Sequence, residues 1–229
     1  MNGTSIITDA EAIACSGTAA RMKVLERFGI LDTERDVILD GIANLAAALF
    51  DAPVAVVNFI ADGRQFFKAE IGIGARELPL ASSICAHAFP EGDVFVVPDL
   101  ALDNRFAGNP LVTVQDGMRF YAGYVLEADG VPIGAVCVLD HQPRPEGITE
   151  PQRIGPKALG TQTIFALAKS AEARRDRFRL TINEQMQDAA GPVEMMTGAT
   201  RLLGEHLGVS QVGYAEVDSD QAHLRVERD

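Results

Sequence analysis

The chain has 229 residues, 47% of them apolar and 23% charged, which is the balance of a water-soluble globular protein with room for a proper core. Its formal net charge of −12 lies almost wholly in residues 1–150, where 10 Lys and Arg face 21 Asp and Glu. An acidic body repels phosphate backbones and anionic lipid, which argues against nucleic acid and membrane surfaces as partners.

No apolar run approaches the roughly 18 residues of a membrane span, and the start lacks the basic and apolar pattern of a signal peptide. A cytoplasmic protein is expected. Cys15, Cys85 and Cys137 are odd in number and widely spaced, so they outline neither a disulfide framework nor a CxxC site.

In chain order, Met22, Leu25 and Phe28 predict a first helix that stops at Gly29. Thr33 is expected to cap a second helix with the stripe Ile38, Ile42, Leu45, Leu49, ended by Pro53. "VAVVNFIA" reads as a buried strand, Asp62-Gly63 as a hairpin turn and "RQFFKAEI" as the returning strand. "GIGARELPLA" reads as loop. Ser82 or Ser83 can then cap a short helix through Phe89, and "VFVV" is a further strand.

Residues 99–118, with Asn109-Pro110 and Asp116-Gly117, predict a long irregular excursion of the kind that usually carries function. "RFYAGYVLEADGVPIGAVCVLD" places two β-rich runs around Asp129-Gly130, a hairpin with a type I′ turn. A helix begins near Thr149 or Glu150, tolerates Pro151 in its first turn, and continues past Lys169. Tight turns between neighbouring strands predict an antiparallel sheet, an α+β fold with helices covering one face.

Leu45 and Leu49, followed by Val54 and Val56, are echoed by Leu203 and Leu207, followed by Val212 and Tyr214. The Asp62-Gly63 turn is echoed at Asp218-Ser219-Asp220. A repeat at one domain length indicates tandem domains. The expected organisation is a flexible segment at 1–18, a folded domain at 19–172, a linker helix at 173–191 and the truncated start of a second copy at 192–229.

The stretches "ILDTERD", "RQFFKAEIG", "SSICAHAF", "VVPDLALDNRFAGNPLV", "RFYAGYVLEADGVPIGAVCVLD" and "PR" resemble the GAF family of small-molecule sensor domains, in the version that opens bacterial sensor histidine kinases. "RLLGEHLGVSQVGYAEVD" resembles the start of a second GAF domain. The resemblance implies a central antiparallel sheet with helices on one face and a loop-covered ligand cavity on the other.

Within that frame His87, Asp99, Asp103, Arg105, Arg119 and Tyr121 are the candidate ligand-binding residues, on and beside the long loop. A loop-borne Arg facing a cavity suits a carboxylate or phosphate, so an anionic small molecule is one option. Equally, Asp103 and Arg105 can simply brace the loop through local hydrogen bonds.

Cys85 and His87 lie two apart on a helix and diverge too far to act on one ligand. Cys85 is expected to pack beside Phe89 as a small hydrophobe, His87 to be hydrogen-bonded in place, and Cys137 to sit in the core. One cysteine each in the tail, a helix and a strand fits poorly with the thiol chemistry of free methionine sulfoxide reductase, an enzyme of this fold. A bilin-binding cysteine in phytochrome-like relatives is also commonly followed by His, but "SSICAHAF" is unlike that context.

The expected function is therefore a non-catalytic sensing domain of a cytoplasmic signalling protein, a histidine kinase in the leading reading. It would couple a small-molecule ligand to an output helix and a downstream domain of the same chain, as a homodimer, with no cofactor and no metal. The alternatives are a GAF module that serves only for dimerisation, a thiol-dependent reductase and a bilin photosensor.

Overall fold

The computed structural model describes residues 18–90, 94–209, 211–217 and 224–228. These divide into two compact units after Lys169. Cys15, the segment before Thr18 and the expected turn at Asp218-Ser219-Asp220 lie outside the described residues.

The first unit opens with α1, Thr18–Phe28, which packs Val24, Leu25 and Phe28 inward and ends as expected at Gly29, in the left-handed region at φ 55°. The second helix, α2, Val37–Phe50, departs from expectation twice. Its cap is Asp36, whose carboxylate accepts from the N–H groups of Ile38 (2.9 Å) and Leu39 (3.3 Å). Thr33 instead donates its hydroxyl to the Ile30 carbonyl at 2.7 Å.

The buried stripe of α2 is Leu39, Ile42, Ala43, Ala46 and Phe50, while Ile38 and Leu45 are 59% and 60% exposed. The helix is apolar on both sides, so periodicity alone could not choose the inner face. Packing selects the side where Ala43 and Ala46 allow close approach to the sheet.

The sheet has six strands in the order β3-β2-β1-β6-β5-β4, all neighbours antiparallel. They are β1 Val54–Ala61, β2 Arg64–Ile71, β3 Glu77–Pro79, β4 Val94–Val97, β5 Phe120–Ala128 and β6 Val131–Asp140. β3 corrects the reading of 72–81 as loop throughout: Glu77, Leu78 and Pro79 pair with Phe66, Gln65 and Arg64. A strand of three residues shows no alternation to detect, and its proline is tolerated because the strand lies at an edge.

The β5–β6 hairpin closes as predicted. Asp129 and Gly130 both have positive φ, 54° and 73°, between the paired Ala128 and Val131. In the excursion after β4, a short helix α3, Pro110–Thr113, is capped by Asn109, and the rest is turns.

The two sheet faces follow from the pleat. Phe120 meets Phe50 of α2 at 6.5 Å between ring centroids. Tyr124, on the same side of β5, lies against Gly160 of α4, Glu150–Asp188. Helices therefore cover that face. The opposite face, carrying Val54, Val56, Tyr121, Val125, Cys137 and Leu139, is roofed by loop residues including Ile84, Leu100, Phe106 and Met118 in one apolar cluster.

The second unit contains the rest of α4, then α5, Pro192–Leu207, and the antiparallel pair β7 Gly213–Val217 and β8 Leu224–Arg228. Within it Phe178 stacks on His206 at 3.7 Å between centroids, and Gly198 sits against Gln185.

Candidate functional site: the loop-covered face

Two 3-10 turns, Leu80–Ser82 and Cys85–Ala88, carry the chain across this face. The cap position of the second turn is Ile84 and not the serine expected to cap it; Ser83, one residue earlier, accepts from the Ala86 N–H through its hydroxyl at 3.2 Å. Three residues per turn, tighter than the α-helix assumed from the sequence, still send Cys85 and His87 in different directions. The His87 Nδ1 lies 3.3 Å from the Ser83 carbonyl, and its ring meets the Phe106 ring edge-on at 4.8 Å between centroids.

Cys85 points to the sheet, and here the structure corrects the sequence reading. It is buried, but it is no isolated hydrophobe, for its sulfur lies 3.3 Å from that of Cys137 on β6. Asn58 Nδ2 and Gln65 Nε2 each donate to Cys85 Sγ at 3.3 Å, and Asn58 also reaches the Ala135 carbonyl at 3.1 Å.

The Tyr121 ring leans over Gly123, which stands opposite Cys137 in the ladder and leaves room for it; a Cβ at Gly123 would lie 2.4 Å from the Tyr121 hydroxyl. The Cys137 thiol above all, then the Tyr121 hydroxyl and the Gln65 and Asn58 amides, hold the Cys85 thiol below its ordinary pKa against the opposing effect of burial. Burial and the neighbouring sulfur push Cys137 up. Burial, and then the two sulfurs, push Tyr121 up.

The other candidates lie along the 99–119 excursion. Asp99 accepts from the Ala101 N–H at 3.0 Å, closing a local turn. Asp103 accepts from the Arg105 backbone N–H (2.9 Å), Nε (3.0 Å) and Nη2 (2.7 Å). Those bonds, first, and then the guanidinium charge keep the Asp103 carboxyl below its usual range. The Arg105 guanidinium also lies over the rings of Phe95 and Phe106, at 5.0 and 5.2 Å.

Arg119 donates Nη1 to the Val112 carbonyl at 3.2 Å, and its own carbonyl accepts from the Leu100 N–H at 2.5 Å. His87, Phe106 and Arg105 are thus brought together, and so are Cys85, Cys137 and Tyr121. Asp99 and Arg119 brace the base of the loop.

Sequence reasoning missed three contributors. Asn58 was visible as the one polar residue in "VAVVNFIA", and Gln65 as a polar residue that β2 turns inward. Arg144, within the quoted "PR", is an anchor. It donates to the Phe50 and Asp51 carbonyls at 2.7 and 3.1 Å and to Asp140 Oδ2 at 2.6 Å, and it covers the Phe120 ring at 4.7 Å. Burial pushes the Asp140 carboxyl up. The hydrogen bonds from Arg144 and Gln142 and the Arg144 charge outweigh it, leaving the carboxyl below its ordinary value.

An antiparallel sheet with helices on one face and a braced loop roof over polar groups on the other defines a sensor-type α+β domain. Residues 34–155 match the GAF domain, and the chain belongs to that family. A cyclic di-GMP phosphodiesterase of Pseudomonas aeruginosa is 36% identical over 126 residues, which is 55% of this chain and 22% of that protein.

Among solved structures, a bacteriophytochrome of R. palustris matches with a TM-score of 0.54 at 14% identity, over 100% of this chain and 51% of its own. The phytochrome photosensory core module of Stigmatella aurantiaca matches with a TM-score of 0.50 at 16% identity, over 93% and 48%. At these identities the likeness is one of fold. The chain thus spans about half the length of these phytochrome chains and 22% of the phosphodiesterase.

Proposed function

We propose that this chain is a non-enzymatic regulatory segment of a longer cytoplasmic signalling protein, in which the state of the loop-covered face is passed to an output domain through α4. The observation that carries this reading is the loop roof braced by Asp103–Arg105 and Arg119. After β6 and its Arg144-anchored loop, the same chain enters a helix of 39 residues. A ligand that favoured one arrangement of the roof would shift the population of helix states.

The sequence reading favours a histidine kinase as the output, and the similarity to a cyclic di-GMP phosphodiesterase supports cyclic di-GMP turnover as the other option. Among the described residues no helix is long and apolar enough to cross a membrane, which accords with the cytoplasmic setting. Residues 192–229 are read as the start of a second GAF domain, supported by the order helix, strand, strand.

The ligand would be a small anion reaching Arg105 and His87. The test is mass spectrometry of small molecules released from protein purified from its host, followed by thermal shift with the compounds found. A compound that raises the Tm of the wild type but not of Arg105→Ala supports the proposal. An empty protein whose output activity in the full chain ignores Arg105→Ala contradicts it.

A second reading, a GAF module serving dimerisation, is favoured by Ile38 and Leu45 on α2 and by Ile154 and Phe165 on α4, all more than half exposed. Sedimentation of wild type against Ile154→Glu and Phe165→Glu distinguishes the two readings.

A further inference from the structure

Two sulfurs 52 residues apart in sequence share one buried polar cage. Both thiols are free, at 3.3 Å. Packing alone does not account for the cage. Cys85 and Cys137 both belong to the apolar cluster of this face, yet Asn58 and Gln65, both buried, also aim amide donors at Cys85, which a purely hydrophobic side chain would not call for. Sulfur is a weak acceptor when protonated and a good one as thiolate, so these donors favour the anion that acts as nucleophile.

A disulfide needs the sulfurs about 1.3 Å closer than they stand. The two sides are unequally held: Cys137 is mid-strand, paired with Val56 on one side and Gly123 on the other, and Cys85 sits in a four-residue 3-10 turn.

We propose that Cys85 and Cys137 form a peroxide-responsive switch, whose disulfide clamps the Cys85–Ala88 turn to the centre of the sheet. Cys85 is the attacking thiolate. It takes one oxygen of hydrogen peroxide, the O–O bond breaks, and the departing hydroxide is protonated to water, leaving Cys85 as sulfenic acid. The Cys137 sulfur then attacks the Cys85 sulfur; the S–S bond forms, the S–O bond breaks, and the second oxygen leaves as water with the remaining thiol proton. Two thiols lose two electrons, and one peroxide becomes two waters. Peroxide is small and uncharged, so local opening of the turn admits it. This switch operates whether or not the loop face binds a ligand.

The test uses the full chain carrying Cys15→Ser, exposed to a few equivalents of peroxide while folded. It is then denatured and alkylated with N-ethylmaleimide, and the intact mass and peptide map are read. The expected result is a mass loss of about 2 Da, no alkylation, a Cys85–Cys137 cross-link, and full reversal by dithiothreitol. Gln65→Leu, checked for folding by circular dichroism, should slow thiol loss about tenfold. Two free, alkylated cysteines after peroxide, or irreversible sulfinic acid at Cys85, would overturn the switch. An unchanged rate in folded Gln65→Leu would overturn the part given to the cage. If that variant fails to fold, the wild-type peptide map decides.

Discussion

The two faces of the central sheet are filled by different kinds of chemistry. On one side α2 and α4 press small and apolar groups together and against it, with Gly155 of α4 against Leu49 of α2 and Gly160 against the Tyr124 ring of the sheet. On the other, loops bring together groups far apart in sequence: Asn58, Gln65, Cys85, Tyr121 and Cys137 in one cluster, His87, Arg105 and Phe106 in another. The helix face is repetitive packing, whose loss costs stability. The loop face is particular, and its loss should cost response.

The largest effect should come where the faces share their frame. A Cβ at Gly134 would lie 1.9 Å from the Asn58 carbonyl oxygen and 2.9 Å from the Phe59 Cα, both backbone atoms that cannot swing away. Gly134→Ala should cost about 4 kcal/mol or prevent folding, measured by urea unfolding. Next, Leu39→Ala on the inner side of α2 should cost about 2–4 kcal/mol.

Arg144→Ala should cost about 2–3 kcal/mol, because it unties the β6 exit from the end of α2 and strands the Asp140 carboxylate. Acid sharpens that point. Asp140 and Asp103 have folded pKa values lowered by Arg144 and Arg105, so the stability they contribute is fully present above their unfolded value of about 4. It is lost as pH falls through the lower folded values. Tm should therefore drop below about pH 4, and drop less in Arg144→Ala.

The smallest effect is expected for Ile38→Ala, within about 0.5 kcal/mol by urea unfolding, since this side chain faces outward. A cost matching that of Leu39→Ala would show that the outer face of α2 is covered in solution.

The same contrast explains what the sequence could disclose. Turn chemistry is local, so Asp129-Gly130 and Gly29 announced their positive φ directly. Continuous apolar runs gave β1 and β6, tight turns gave the antiparallel sheet, and the family stretches gave its loop roof. The inner face of α2 was not legible because Ile38 and Leu39 are adjacent and equally apolar, and only the partner surface separates them. β3 was too short to alternate.

The thiol pair was invisible for another reason. Cys85 and Cys137 meet because a loop crosses above a strand, and no spacing encodes that crossing. The isolated Asn58 in "VAVVNFIA" was the available hint, as a buried amide must find partners.

The central claim is that the loop face is the responsive half of the domain and the helix face its scaffold. Native-state hydrogen exchange of the full chain, read by mass spectrometry, tests it most directly. Amides of β1, β6 and α2 should exchange only through global unfolding. Those of residues 84–89 and 99–119 should exchange at least about a hundredfold faster through local opening. Equal protection across both faces, or faster exchange in α2 than in the loop roof, would contradict the account.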